Sequence, residues 1–381
     1  MLNSVILTVV YLFAPLLLLY LCSKFQFLSR IGSVVLAYLF GLILGQLGIF
    51  GELYSNLQEI IMSIVIPLSI PLMLFSSDVK SWRKLAVKPL YSLLFALLAV
   101  FVSVVTGFFI FGGPHLEGFD KIGGLLVGVY SGGTPNLASL KLILGVDEEI
   151  YLAVHSYDMA VGAVYLFLLM GVGQRLFQLF LPPFEKSAFQ DHEKQEKKVF
   201  KQFWTDKKLI KKVLVNVGYA AIIVLIGGST MLLVPESLKM VVFIFVITGL
   251  AIFGSSFKTI NQVDGSFDVG MYLILVFSIV VASKVDIGGL SDVNPLIFGY
   301  ITFVVFCSLL LHILLSKTKN IDADTAIITS AALICSPPFV PLVAGSLKNR
   351  EVILPGLTIG LIGYALGNYL GYLMAILLAF I

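Results

Sequence analysis

Asp158 is a carboxylate in the middle of an apolar run, Ala153-Val154-His155-Ser156-Tyr157-Asp158-Met159-Ala160-Val161-Gly162. In hydrocarbon an ionisable side chain is costly, so such a residue ordinarily faces a cavity and binds a proton or a cation. The plain alternative is a carboxyl held by a hydroxyl or a freed amide for packing alone. His155, three residues earlier, shares a helix face with Asp158 and could tune it, relay protons or simply pack. Two further patterns carry oxygen ligands. Ser131-Gly132-Gly133-Thr134-Pro135-Asn136 interrupts the apolar stretch Ile122 to Leu144, and Cys335-Ser336-Pro337-Pro338 interrupts Ala326 to Ala344. A hydroxyl residue followed by proline is the chemistry of a helix start, predicting a side-chain cap and then a residue that needs no backbone donor.

Inside a bilayer such a break leaves backbone groups unpaired, which is tolerated only where protein or a water-lined cavity satisfies them. Asp158, Asn136, Thr134, Ser131 and His155 are the candidate ion ligands, for Na⁺ or H⁺. Gly132 and Gly133 allow close backbone approach, and with Ser336, Ser330 and Asn368 they are the candidate solute contacts. Helix N-termini at both breaks would offer positive dipole ends to an anionic group. A kink without a ligand is the alternative for either break taken alone.

The elements that must position these residues are membrane helices. Of 381 residues, 59% are hydrophobic and 12% charged, and the mean hydropathy is +1.02. No soluble domain of this length has such a composition. Apolar stretches recur at 3–22, 32–50, 57–76, 89–112, 121–144, 149–172, 213–234, 238–256, 268–286, 295–316, 324–346 and 352–380. Their length is that of spanning helices, not of barrel strands. Met1-Leu2-Asn3-Ser4 lacks the positive region of a cleavable signal and is read as the start of a retained first span. Cys22, Cys307 and Cys335 are far apart and suggest neither a disulfide framework nor a metal site. No nucleophile–base pair or nucleotide-binding motif appears, so the chain is not read as an enzyme and no cofactor is expected beyond Na⁺.

The charged segment 183–212 divides the chain. Pro182 to Lys212 holds nine Lys against five acidic residues, which predicts a cytoplasmic linker and not a nucleic-acid patch. On either side lie stretches that resemble each other, 1–182 and 213–381. Pro135 and Pro337 are separated by the same offset as Phe75 and Phe277, and Pro89 and Pro295 by nearly that offset. The loop with Lys80, Arg83, Lys84 and Lys88 is expected inside, whereas its counterpart at 284–294, with one Lys and two Asp, is expected outside. Equivalent loops on opposite sides mean inverted repeats. The 149–182 stretch is about 51 Å long as helix, so it holds either a tilted helix or a short extra crossing. The expected fold is therefore all-α and polytopic, with 11–13 transmembrane helices in two inverted repeats, each with one discontinuous helix crossing near the midplane.

The last span carries Gly356, Gly360, Gly363, Gly367 and Gly371 at three- and four-residue spacing, a stripe that suits close helix packing, with Asn368 on it. This span, the Ser131–Asn136 break, Asp158 and Ile66-Pro67-Leu68-Ser69-Ile70-Pro71-Leu72-Met73-Leu74-Phe75 resemble the YjcL-like family of multispanning membrane proteins, domain of unknown function 819. The resemblance covers essentially the whole chain. One departure is that Cys335-Ser336-Pro337-Pro338 stands where the family tends to have Gly-Gly-Pro. The family is grouped with cation/proton antiporters, bile-acid symporters and glutamate symporters. That grouping implies a core domain with two crossing broken helices, a scaffold domain and, often, a homodimer.

The reading that follows is a secondary active transporter of the cytoplasmic (inner) membrane. It is coupled to Na⁺ or H⁺ and moves a small anionic organic solute by alternating access. A monovalent cation/proton antiporter, with Asp158 as the exchanging group, is one alternative. A membrane receptor or accessory protein without transport is another. The partners expected are the lipid bilayer, the solute and a second copy of the chain.

Overall fold

The computed structural model describes residues 2–25, 28, 33–46, 55–75, 87–116, 118–185, 207–261, 263, 265–284 and 294–381. The regular structure among them is entirely helical. The loops that carry the charge argument for orientation, and the linker from 186 to 206, lie outside the described residues. Every apolar stretch forms helix. The first half holds α1 (Leu2–Lys24), α2 (Ser33–Gln46), α3 (Ser55–Leu74), α4 (Val87–Ile110), α5 (Phe119–Gly132), α6 (Thr134–Leu144) and α7 (Glu148–Leu168). The second holds α8 (Lys207–Thr230), α9 (Glu236–Ser255), α10 (Ser266–Ser283), α11 (Pro295–Lys317), α12 (Ala323–Ser330), α13 (Val340–Ser346) and α14 (Ile353–Ala379).

Among the described residues 8 helices are long and apolar enough to cross a membrane, and shorter apolar helices lie at Ser33–Gln46, Val242–Ser255 and Ala323–Cys335. Their outer faces explain the composition. On α4, Leu90, Leu94 and Leu98 share one face and are 49%, 60% and 51% exposed. A helix that is apolar outside as well as inside has hydrocarbon for its solvent. The long 149–182 stretch contains no extra crossing. α7 continues through a π turn, Leu169–Gly173, into Gln174–Gln178, with right-handed helical backbone at both junctions.

The chain forms two compact units, each drawing on both halves of the sequence. The first comprises Met1–Arg83, Phe184–Val285 and Ala344–Glu351. In it α10 packs on α2 and α3, and α8 on α9. Glycine lets backbones approach: a Cβ on Gly41 would stand 2.3 Å from the Ile279 carbonyl oxygen. A buried trio joins three helices, with Gln58 Nε2 donating to Tyr11 Oη at 2.9 Å and to Ser283 Oγ at 3.0 Å. The two hydroxyls lie 2.7 Å apart. Such bonds hold helices together where the hydrophobic effect does not distinguish them from lipid.

The second unit comprises Lys84–Pro183, Asp286–Val343 and Val352–Ile381. It contains both interruptions, Asp158 and the glycine stripe. Here α14 lies along α5, and α11 along α4. The start of α12 is fixed by Asp322, whose carboxylate accepts from Thr325 N at 2.8 Å and from Thr325 Oγ1 at 2.9 Å. That is an N-cap of ordinary kind.

Candidate functional site

The site is built on a glycine-to-glycine helix pair. On α5, Gly124, Gly128 and Gly132 recur every four residues and therefore face one way. On α14, Gly371, Gly367 and Gly363 meet them in antiparallel order. A Cβ on Gly371 would lie 2.6 Å from the Gly124 carbonyl oxygen, and one on Gly367 3.0 Å from that of Gly128. One on Gly363 would lie 2.0 Å from the Ser131 carbonyl oxygen. These are backbone atoms, so the fit admits no larger residue. The stripe on α14 was legible in the sequence. Its partners Gly124 and Gly128 were not singled out, although their four-residue spacing was the available signal.

This pairing delivers the C-terminal end of α5 to the first interruption. Gly133 closes α5, its N–H donating to the Val129 carbonyl at 2.6 Å, and then turns away with φ 99° and ψ −173°. α6 begins at once, with Asn136 N–H donating to the Gly133 carbonyl at 3.0 Å. The second interruption has the same local form. Ser336 has φ 93° and ψ 156°, and Phe339 N–H donates to its carbonyl at 3.1 Å. The structurally equivalent cap residues are thus Gly133 and Ser336, one residue out of register with the pairing of Pro135 and Pro337. The predicted hydroxyl caps are not made. Thr134 is the first residue of α6 with Gly133 as its N-cap, and neither Gly133 nor Ser336 gives a side-chain cap bond. The backbone turn takes that role, because the cap bond runs to a main-chain carbonyl.

The two interruptions meet. A Cβ on Gly133 would stand 2.0 Å from Ser336 Oγ and 3.5 Å from the Tyr364 ring. The Tyr364 hydroxyl interacts with the Ser336 side chain from α14. Beside this contact Asn136, 3% exposed, is wedged between glycines. Its Nδ2 lies where a Cβ on Gly132 (2.3 Å) or on Gly367 (1.9 Å) would intrude. That Nδ2 has no hydrogen-bond partner. Ser131 is fully buried, but its hydroxyl donates back to the Val127 carbonyl at 2.7 Å, so its proton is committed within α5.

Asp158, half-buried on α7, lies beside the Tyr130 hydroxyl and near Cys335. Tyr130 immediately precedes Ser131 and is fully buried, and its hydroxyl forms no hydrogen bond of full geometry. Asp158 therefore reaches both interruptions through the residues next to them. Tyr130 was missed in the sequence because a tyrosine in an apolar helix gives no periodic signal of its own.

The remaining candidates are placed as follows. The His155 ring stacks on Tyr151, with centroids 6.0 Å apart and an interplanar angle of 11°. Ser330 is buried and hydrogen-bonded to Tyr165. Thr134 is exposed, and Asn368 is half-buried with its Oδ1 unpartnered. The structure thus gathers Ser131, Gly132, Gly133, Asn136 and Ser336 into one cluster, with Asp158 at its edge through Tyr130.

The chain is 22% identical over 375 residues, 92% of its own length and 91% of the relative's, to the uncharacterized membrane protein YjcL of Bacillus subtilis (strain 168). Together with the apolar helices this makes it a multi-pass membrane protein. The model of a family described as a protein of unknown function, DUF819, matches residues 8–381. The chain therefore belongs to the DUF819 family.

Proposed function

We propose that the protein is a secondary active transporter in which Asp158 carries the coupling ion, Na⁺ or H⁺. The observation that carries this reading is the contact between the Gly133 and Ser336 caps, with Asp158 and Tyr130 alongside. Interrupted helices meeting in an apolar protein are the pattern by which transporters build a site at membrane depth. A carboxyl at that depth needs a proton or a cation to offset its charge. Asn136, with its unpartnered amide nitrogen, and the helix starts at Thr134 and Pro337 favour a small anionic solute between the breaks. Loop charges support inverted repeats, with the 183–212 linker on the cytoplasmic side of the cell membrane. A second copy of the chain is the expected partner.

Thermal-shift screening of carboxylates and amino acids in Na⁺ and across pH identifies the solute. Uptake into proteoliposomes then tests the mechanism. Asp158→Asn is expected to abolish ion-driven uptake while sparing solute binding. Na⁺-driven proton flux without any solute would instead make the protein an antiporter. Stability indifferent to ions, pH and every solute would overturn the transport reading.

A further inference from the structure

The segments on either side of each interruption double back. Along α5 and α6, Gly132 faces Asn136, Gly128 faces Leu140 and Gly124 faces Leu144, each side chain lying where a Cβ on the glycine would meet it. A four-residue step back along α5 is matched each time by a four-residue step forward along α6, which is the register of an antiparallel pair. At the far end Lys121 Nζ donates to the Gly145 carbonyl at 3.3 Å, so the start of α5 and the end of α6 lie together. A discontinuous helix crossing the membrane would carry those two ends to opposite faces.

The long helix α14 shows how the second interruption is disposed. Its 27 residues measure about 40 Å, enough to span. From Gly363 towards its C-terminus it meets the first pair of arms: Ser131 at Gly363, Gly128 and Asn136 at Gly367, Gly124 and Leu140 at Gly371. From Gly363 towards its N-terminus it meets the second: Leu333 at Gly363, Pro337 at Gly360, and Ile328 with Val340 at Gly356. Ile328 precedes Ser336 and Val340 follows it, yet both reach the same glycine, so this segment also turns back at its interruption. At its start, Ala323 N–H donates to the Pro182 carbonyl at 2.9 Å, where the charged segment of the chain begins.

We infer that the interruptions are the tips of two re-entrant hairpins inserted from opposite faces of the membrane, and that the α6 arm lines the route by which an anionic solute reaches the tips from the face of the first hairpin. On α6, Leu137 and Leu140 are buried, whereas Thr134 and Ala138 are exposed and Lys141 is half-buried. Those last three recur at i, i+4 and i+7, so they form one face running from the tip towards the end of the arm. Lys141 Nζ stands 5.0 Å from the centroid of the Tyr151 ring, on the helix that carries Asp158. A charged side chain on a membrane arm faces the protein interior or water. A solute carboxylate moving along this face therefore meets the Lys141 ammonium before it meets Thr134. The route rests on the transport reading, whereas the hairpins rest on packing alone.

Membrane-impermeant reagents, applied to the full chain in intact cells and in inverted membrane vesicles, test both parts. On the wild-type protein a lysine reagent is expected to modify Lys121 and Lys141 from one face and Lys317 and Lys319 from the other, read by peptide mass spectrometry. Modification of Lys121 and Lys141 from opposite faces would make the first interruption a crossing helix and overturn the hairpins, leaving the ion role of Asp158 standing. All four lysines reacting from one face would overturn the opposite insertion. For the route, Thr134→Cys is expected to react with a thiol reagent from the face of Lys121, above the background of the parent chain and its own three cysteines. Ala138→Cys, on the same face of α6, serves if Thr134→Cys does not accumulate. Failure of the accumulated variant to react from that face would overturn the route and leave the hairpins in place.

Discussion

Gly133 and Ser336 occupy each other's side-chain space: a Cβ on the glycine would stand 2.0 Å from the serine Oγ. Both residues have φ in the left-handed range with extended ψ, 99° and −173° for one, 93° and 156° for the other. That backbone region is essentially reserved for glycine. Gly133→Ala should therefore lower stability by about 2 kcal/mol or more, from backbone strain and the clash together. Adding Ser336→Gly should recover the clash and not the strain. Thermal unfolding of the four proteins in detergent gives the coupling. A Gly133→Ala protein that melts like the wild type would show that the two caps do not touch.

Ser336 is itself a non-glycine residue in that region. Ser336→Gly should raise stability by about 1 kcal/mol relative to Ser336→Ala, which keeps the strained conformation. Both variants lose the hydroxyl that meets Tyr364, so the difference between their melting temperatures isolates the backbone. Equal melting temperatures would refute it.

The α5–α14 pairing makes two glycine-to-alanine changes differ in sign. Gly363→Ala places a Cβ 2.0 Å from a main-chain oxygen and should be strongly destabilising. At Gly162, inside α7, a Cβ meets nothing within 4 Å. There alanine should stabilise by roughly 0.5–1 kcal/mol through lower unfolded-chain entropy. Melting temperatures of the two variants check the prediction.

Asp322 holds the first turn of α12 with two accepted hydrogen bonds. Asp322→Ala should cost about 1–2 kcal/mol, as the loss of a carboxylate cap does elsewhere. Asp322→Asn, which keeps an oxygen for the Thr325 N–H, should cost less. Proteolysis and hydrogen exchange over Ala323–Ser330 would localise the effect.

In the first unit, Gln58 bridges the Tyr11 and Ser283 hydroxyls. Gln58→Leu should cost about 1–3 kcal/mol, towards the lower figure because the two hydroxyls retain each other. Tyr11→Phe combined with Gln58→Leu should cost less than the sum of the two single changes. Additive costs would show that the trio is not a network.

Much was legible from the sequence because hydrocarbon leaves little freedom. Runs such as 89–112 and 295–316 had to be helices, since lipid offers backbone groups no other partner. The interruptions were legible too, because Gly132-Gly133 and Pro337-Pro338 cannot continue a helix undisturbed. Their detail was not. Thr134 before Pro135 suggested a hydroxyl cap, whereas the carbonyls of Gly133 and Ser336 accept the cap bonds. In a short turn a main-chain oxygen is already in position, without fixing a rotamer. The 149–182 stretch allowed an extra crossing by length, and a π turn at Leu169–Gly173 instead carries one rod through.

The sequence by itself determined a polytopic helical protein of this family, two proline-marked breaks, and Asp158 as a carboxyl in apolar surroundings. Only the tertiary structure decided that Gly133 abuts Ser336 and that Tyr130 sits beside Asp158. The physical reason is that solvent sets helix formation one segment at a time, through local hydropathy and backbone chemistry. Which polar atoms face each other depends on helix–helix approach distances. Here those distances are set by Gly124, Gly128 and Gly132 meeting Gly371, Gly367 and Gly363, a relation between segments far apart in the chain.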